Sequence, residues 1–119
     1  MLEKDSILPQ RSNVFKVLPR VLINNSASST HSLIEVNALD RAGLLHQVTR
    51  TLTQLGLQIS SALITTYGER AVDVFYVKDA FGMQVIHSEK LKQIRETVLG
   101  IIADGDEMVQ NNHVPISKN

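Results

Sequence analysis

The spacing of apolar residues in this chain changes three times between every second position and every third or fourth position. Spacing of two is typical of a strand with one buried face, whereas spacing of three to four is typical of a helix with one buried stripe. A short β-rich run at residues 21–23 comes first, followed by an alternating run at 34–38. Because only a Ser/Asn-rich segment separates them, these runs predict a β-hairpin.

A helix, a second hairpin and a second helix are predicted next. The apolar stripe of the first helix is formed by Leu44, Leu45, Val48, Leu52 and Leu55. Gly56 is suited to end that helix, because glycine adopts positive φ without strain. Residues 57–66 and 71–77 then alternate on either side of a turn, and the second helix is predicted to begin at an N-cap, Ser88, and to end at Gly105.

The predicted order of elements is therefore β-β-α-β-β-α. This order indicates an α+β fold of the ferredoxin-like type, a two-layer sandwich with a four-stranded antiparallel sheet and two helices on one face. The leading strand would fill the edge position usually taken by a C-terminal strand, so the arrangement is permuted. We assign residues 1–18 to a linker, 19–104 to the domain and 105–119 to a flexible C-terminal tail.

Composition excludes several classes of function. The absence of cysteine excludes disulfides and thiolate metal sites, and it fits a reducing cytoplasm, where we expect the protein to be located. The formal net charge is zero, with 12 basic and 12 acidic residues, so no basic surface is predicted for nucleic acid or for an anionic membrane. No apolar run approaches the roughly 20 residues of a membrane span.

The segment that joins the second strand to the first helix is the candidate ligand site. Free backbone N–H groups and the positive end of the helix dipole favour a small anion there, such as an amino-acid carboxylate. Gly43 would let the backbone approach a ligand closely. Asp40 could accept the ammonium group, and the polar neighbours Asn37 and His46 are candidates for a side-chain contact.

Each of these residues also has a structural explanation. Asp40 could cap the helix, Gly43 could allow tight packing on the sheet, and Arg41 could be a solvated surface charge. Catalytic patterns are missing: the histidines have no metal-ligand spacing, and Asp104 and Asp106 follow no phosphate-binding loop. We therefore predict no catalytic site and no metal site in this chain.

Two segments carry a resemblance to a known family. The sequence ALDRAGLL at residues 38–45 and TYGERAVDVFYV at 66–77 resemble ACT domains, and more narrowly the C-terminal ACT domain of bifunctional uridylyltransferase/uridylyl-removing enzymes that modify the PII protein. The resemblance covers about residues 19–103 and includes the permuted leading strand. The family commonly has proline where this chain has Ala42.

The resemblance implies a regulatory domain that senses glutamine. The loop residues that would line the ligand site are Asp40, Arg41, Gly43, Leu44 and Leu45. The strand after the first helix, often from a neighbouring ACT domain, would close the site with Gln58, Ile59 and Ser60. The resemblance also implies a homodimer or an intramolecular ACT pair, the PII protein as a partner of the full-length enzyme, and Mg²⁺ in its absent catalytic domains, with no cofactor in this one.

Three other functions compete with this one. A ppGpp synthetase/hydrolase also carries an ACT domain, although the turn at residues 67–70 argues against it. An RNA-recognition module has a similar layout, but the adjacent Phe75 and Tyr76 point to opposite faces of a strand, so one of them is expected in the core. A pairing module without a ligand is the third alternative, since an uncovered sheet face would be partly apolar.

Overall fold

A computed structural model describes the backbone of residues 18–113 and the side chains of residues 18–109. The elements are β1 (Arg20–Asn24), β2 (Ser32–Leu39), α1 (Leu44–Gln54), β3 (Gln58–Tyr67), β4 (Arg70–Lys78) and α2 (Ser88–His113). This order confirms the predicted β-β-α-β-β-α arrangement. Residues 1–17 of the predicted linker, 1–18, and the end of the predicted tail, 114–119, lie outside the described residues.

The four strands form one antiparallel sheet in the order β1-β2-β4-β3. The leading strand β1 pairs with β2, with Val21 opposite Val36, and occupies one edge of the sheet. At the centre, β4 pairs with β2 on one side and with β3 on the other. The predicted sandwich fold and its permuted edge strand are therefore confirmed.

The alternation of buried and half-buried side chains along β4 shows which face of the sheet the helices cover. Every second side chain of β4 is buried, whereas the side chains between them are half-buried on the opposite face. Phe75 is fully buried in the core and its neighbour Tyr76 is half-buried, as predicted for adjacent residues of a strand. On α1, Leu44, Val48 and Leu52 are buried, but Leu45 of the predicted stripe is exposed.

The second helix does not end at Gly105, so that prediction was wrong. α2 continues to His113, and residues 105–113 are helical rather than a flexible tail. Gly105 is buried in the helix interior, where the guanidinium group of Arg41 lies against it so closely that an added Cβ would collide with three guanidinium atoms. Glycine occupies this position because a distant side chain needs the space.

Asp106, the next residue of α2, has a structural role. Its carboxylate oxygens accept a hydrogen bond from the backbone N–H of Leu39, at 3.3 and 3.4 Å, where β2 extends beyond the register of β1. The pKa of Asp106 is raised, because the effect of burial exceeds the lowering by this hydrogen bond and by the charge of Arg41. The carboxylate thus fixes the end of β2, from which the candidate loop departs.

The start of α2 differs from the prediction by one residue. The carbonyl oxygen of His87 accepts the first helical hydrogen bond, from the N–H of Leu91 at 3.0 Å, so His87 takes the N-cap position predicted for Ser88. Within residues 18–113, neither helix is long and apolar enough to cross a membrane.

Candidate functional site

A tight turn links β2 to α1. The N–H of Leu44 donates to the carbonyl oxygen of Arg41 at 3.2 Å, and Gly43 has φ +83° and ψ −5°. These values define a type II β-turn, whose third residue needs positive φ. An added Cβ at Gly43 would meet no atom within 4 Å. Glycine is therefore required by the backbone conformation, and not by tight packing on the sheet.

The N-terminus of α1 presents free hydrogen-bond donors. The first full helical bond runs from the N–H of Gln47 to the carbonyl oxygen of Gly43, at 2.9 Å. The N–H groups of Leu45 and His46 find no acceptor among the described residues. No side chain caps the helix from the Gly43 position, and it has no acidic residue in its first turn. These two amides, with the helix dipole behind them, suit a small carboxylate.

Asp40 is the residue directly before this turn. Its backbone N–H donates to the carbonyl oxygen of Glu69 at 2.8 Å, which ties the turn to the β3–β4 hairpin. Its side chain is exposed and accepts no hydrogen bond from the described residues. The carboxylate is therefore accessible to a ligand and does not cap the helix.

A pocket of about 330 Å³ lies between this turn and the sheet. Its lining residues are Asp40, Arg41, Gly43, Leu44, Leu45, His46, Ile64, Thr66, Ala71 and Asp73. The structure thus brings together the five loop residues predicted from the resemblance, and His46 with them. The volume lies at the lower end of the range for small-molecule sites.

The other four candidates lie outside this pocket. Asn37 is on the opposite face of the sheet, since its neighbour Val36 points to the helices, and its amide donates to Glu35. Gln58, Ile59 and Ser60 begin β3, which pairs with the far end of β4. Within one chain they are therefore remote from the turn. It is the opposite end of β3, with Ile64 and Thr66, that lies beside the N-terminus of α1. Their role in closing a second domain's site stays a prediction.

Sequence reasoning missed the sheet side of the pocket, and above all Asp73. This side chain lies in the middle of β4, faces the helices and is only 2% exposed. Its Oδ1 atom is buried and has no hydrogen-bond partner. Burial raises the pKa of Asp73, a backbone hydrogen bond from Thr65 lowers it, and the charge of Asp40 raises it further.

A signal for Asp73 was present in the sequence. In the alternating run 71–77, the inward positions are Ala71, Asp73, Phe75 and Val77. A single carboxylate among apolar inward residues is costly unless it has a partner or a task. The other new lining residues, Ile64, Thr66 and Ala71, carry no such mark.

Arg41 connects the turn to both helices. Its Nη2 donates to the Oε1 of Gln47 at 2.6 Å, and its guanidinium group lies on Gly105 of α2. The Nε atom is buried without a partner. Arg41 is therefore a partly buried link between the turn and α2, and not a solvated surface charge.

A second concavity, of about 560 Å³, lies beside the β4–α2 loop. Its carboxylate, Asp79, is already used, because Oδ1 accepts the N–H groups of Phe81 and Met83 at 2.8 and 2.9 Å. Within the described part of the chain, no three His, Cys, Asp or Glu side chains are grouped as metal ligands. The first pocket, with its unused donors and acceptor, is the better candidate.

The fold and the glycine turn define an ACT-like domain. A family model described as "ACR9-like, ACT-like domain" matches residues 20–104, and the chain belongs to this family of ACT-like domains. The chain is also similar to proteins named bifunctional uridylyltransferase/uridylyl-removing enzyme. It is 64% identical over 94 residues to that of Azospirillum brasilense and 56% identical over 91 residues to that of Rhodospirillum rubrum.

These matches cover 79% and 76% of this chain, and a third, from Gluconobacter oxydans, is 56% identical over 76% of it. The chain spans about a tenth of the length of these enzymes. No solved structure matches the chain significantly. The relatives agree with the resemblance given by residues 66–77 and do not favour the ppGpp enzyme.

Proposed function

We propose that this chain is a regulatory, amino-acid-binding segment of a uridylyltransferase/uridylyl-removing enzyme, and that its ligand is glutamine. The named relatives support the enzyme, and the PII protein would be the partner of the whole protein, in the cytoplasm. Catalysis, with Mg²⁺, would belong to other domains of that protein.

The observation that carries the ligand proposal is the pairing of unused groups in one pocket. The free N–H groups of Leu45 and His46 suit a carboxylate, and the accessible carboxylate of Asp40 suits an ammonium group. A free amino acid carries both charges. The choice of glutamine among amino acids rests on the resemblance and on the names of the relatives.

Calorimetric titration of the chain with glutamine tests the proposal, with glutamate and leucine as comparison ligands. We expect binding of glutamine, weaker binding of the other two, and loss of binding in Gly43→Val and Asp40→Ala. Gly82→Val is a matched control, because Gly82 also has positive φ, +80°, and open space around it, but it lies in the second concavity. Silence with every amino acid would refute ligand binding by this chain.

The uncovered face of the sheet supports a second proposal, that the domain pairs with another ACT domain or with a second copy. The side chains on this face include exposed Leu22 and Leu63 and half-buried Leu33, Val72, Val74 and Tyr76. Sedimentation equilibrium should show a dimer that Leu63→Lys weakens. A monomer at millimolar concentration would contradict the homodimer.

A further inference from the structure

Asp73 is a buried carboxylate with one oxygen atom that has no hydrogen-bond partner. Carboxylates are rarely buried without a partner, because the loss of hydration is expensive. Asp73 is 2% exposed, and its Oδ1 atom has neither a water-exposed surface nor a hydrogen-bond donor. The backbone N–H of Thr65 lowers the pKa of Asp73, which favours its charged form, but burial outweighs this effect.

Nothing among the described residues supplies the missing cation. The guanidinium group of Arg41, which also lines the pocket, is bonded to Gln47 and lies on Gly105. Asp40, the other carboxylate of the pocket, repels a charge on Asp73. The floor of the pocket therefore has an acceptor that the chain itself leaves unpaired.

Donors and acceptors also occupy different walls of the pocket. The free amides of Leu45 and His46 belong to α1, whereas Asp73 belongs to the central strand β4. A ligand whose carboxylate meets the helix N-terminus would direct a neighbouring cationic group towards the sheet. An ammonium group donates up to three hydrogen bonds, which is enough for both carboxylates that line the pocket, Asp40 and Asp73.

We propose, on the basis of the ligand site proposed above, that Asp73 accepts the ammonium group of the bound amino acid and makes the pocket selective for amines. Asp40 assists at the entrance, where water screens its charge. The chemical class selected is an α-amino acid, in preference to the same acid without its amino group.

Binding should then depend on pH with a definite sign. A cationic ligand stabilises ionised Asp73, so its pKa falls on binding, and affinity decreases as the pH falls through the pKa of the empty site. The other titratable or charged groups of the pocket are Asp40 and Arg41 from the turn and His46 from α1, whereas β3 contributes uncharged side chains. A pH dependence that arises from any other group of the pocket would persist in Asp73→Asn, and one that arises from Asp73 would disappear.

The experiment is a calorimetric titration of the chain with glutamine and with 4-carbamoylbutanoate, the same molecule without its amino group. Asp73→Asn keeps the shape and removes the charge, and Glu96→Gln, on the exposed side of α2, is the matched control. We expect the unmodified chain and the control to prefer glutamine, and Asp73→Asn to lose about tenfold or more in affinity for glutamine alone.

Each outcome separates the two proposals. If the unmodified chain binds no amino acid, the proposed ligand site itself fails. If it binds glutamine and Asp73→Asn retains both the affinity and the preference over the deamino acid, only the role of Asp73 is overturned. An equal loss for both ligands would also overturn it, because this would show a structural role. Thermal unfolding of each variant checks that the fold is intact.

Discussion

Replacing Gly105 by alanine should destabilise this protein, although the same change usually stabilises a helix. In an exposed helix interior, glycine to alanine contributes about 0.8–1.0 kcal/mol of stability. At Gly105 the new methyl group would displace the guanidinium of Arg41, whose hydrogen bond to Gln47 would be lost. A hydrogen bond to a charged group is worth about 1.5–3 kcal/mol, so the net loss should be about 0.5–2 kcal/mol.

Gly100 supplies the matched control on the same helix. It is exposed, and an added Cβ would meet no atom within 4 Å, so Gly100→Ala should stabilise the fold by about 0.8–1.0 kcal/mol. Arg41→Ala removes the guanidinium group that a side chain at position 105 would meet. In that background Gly105→Ala should become stabilising, by about the same amount as Gly100→Ala.

Urea unfolding measured by circular dichroism would test these signs. With a slope of about 1–3 kcal/mol per molar urea, a change of 1 kcal/mol moves the midpoint by about 0.3–1 M, which is easily resolved. A rise in midpoint for Gly105→Ala in the unmodified background, equal to that for Gly100→Ala, would refute the reasoning. It would show that Arg41 can leave α2 without cost.

Four further substitutions test the turn and the buried acid. Ala42→Pro should stabilise the fold by about 0.4–1 kcal/mol, because Ala42 is the second residue of the type II turn, where proline is favoured; a lower urea midpoint would contradict this. Gly43→Ala should cost about 1–2 kcal/mol from left-handed backbone alone, since its side chain would meet no atom. Gly43→Asn should cost less than Gly43→Ala in the same unfolding assay, and an equal cost would argue against this origin. Asp73→Asn should raise the urea midpoint at pH 8 but not at pH 3. Burial raises the pKa of Asp73 above the ordinary aspartate value of 3.8, so its ionisation weakens the fold as the pH rises through the folded-state pKa. An equal effect at both pH values would show that charge is not the cause.

Only the part of the candidate site that lies on the turn and at the start of α1 could be predicted from the sequence. Asp40, Gly43 and the first residues of α1 are neighbours in sequence, so a strand end, a glycine and a helix start define their geometry locally. Asp73 could be noticed as a polar residue at an inward position. Its place beneath the turn could not be predicted, because it depends on the register of β4 against β2 and β3.

The sequence by itself determined the order of elements, the buried face of the strand at residues 34–38 and the helical stripe that contains Val48 and Leu52. These follow from periodicity, which is a property of neighbouring residues. The tertiary structure alone decided that α2 passes through Gly105, that Asp106 completes the end of β2, and that Asp73 faces the pocket. A glycine that ends a helix and a glycine that makes room for an arginine look alike in sequence. The difference lies in Arg41, a residue far along the chain that only packing of the two layers brings into contact.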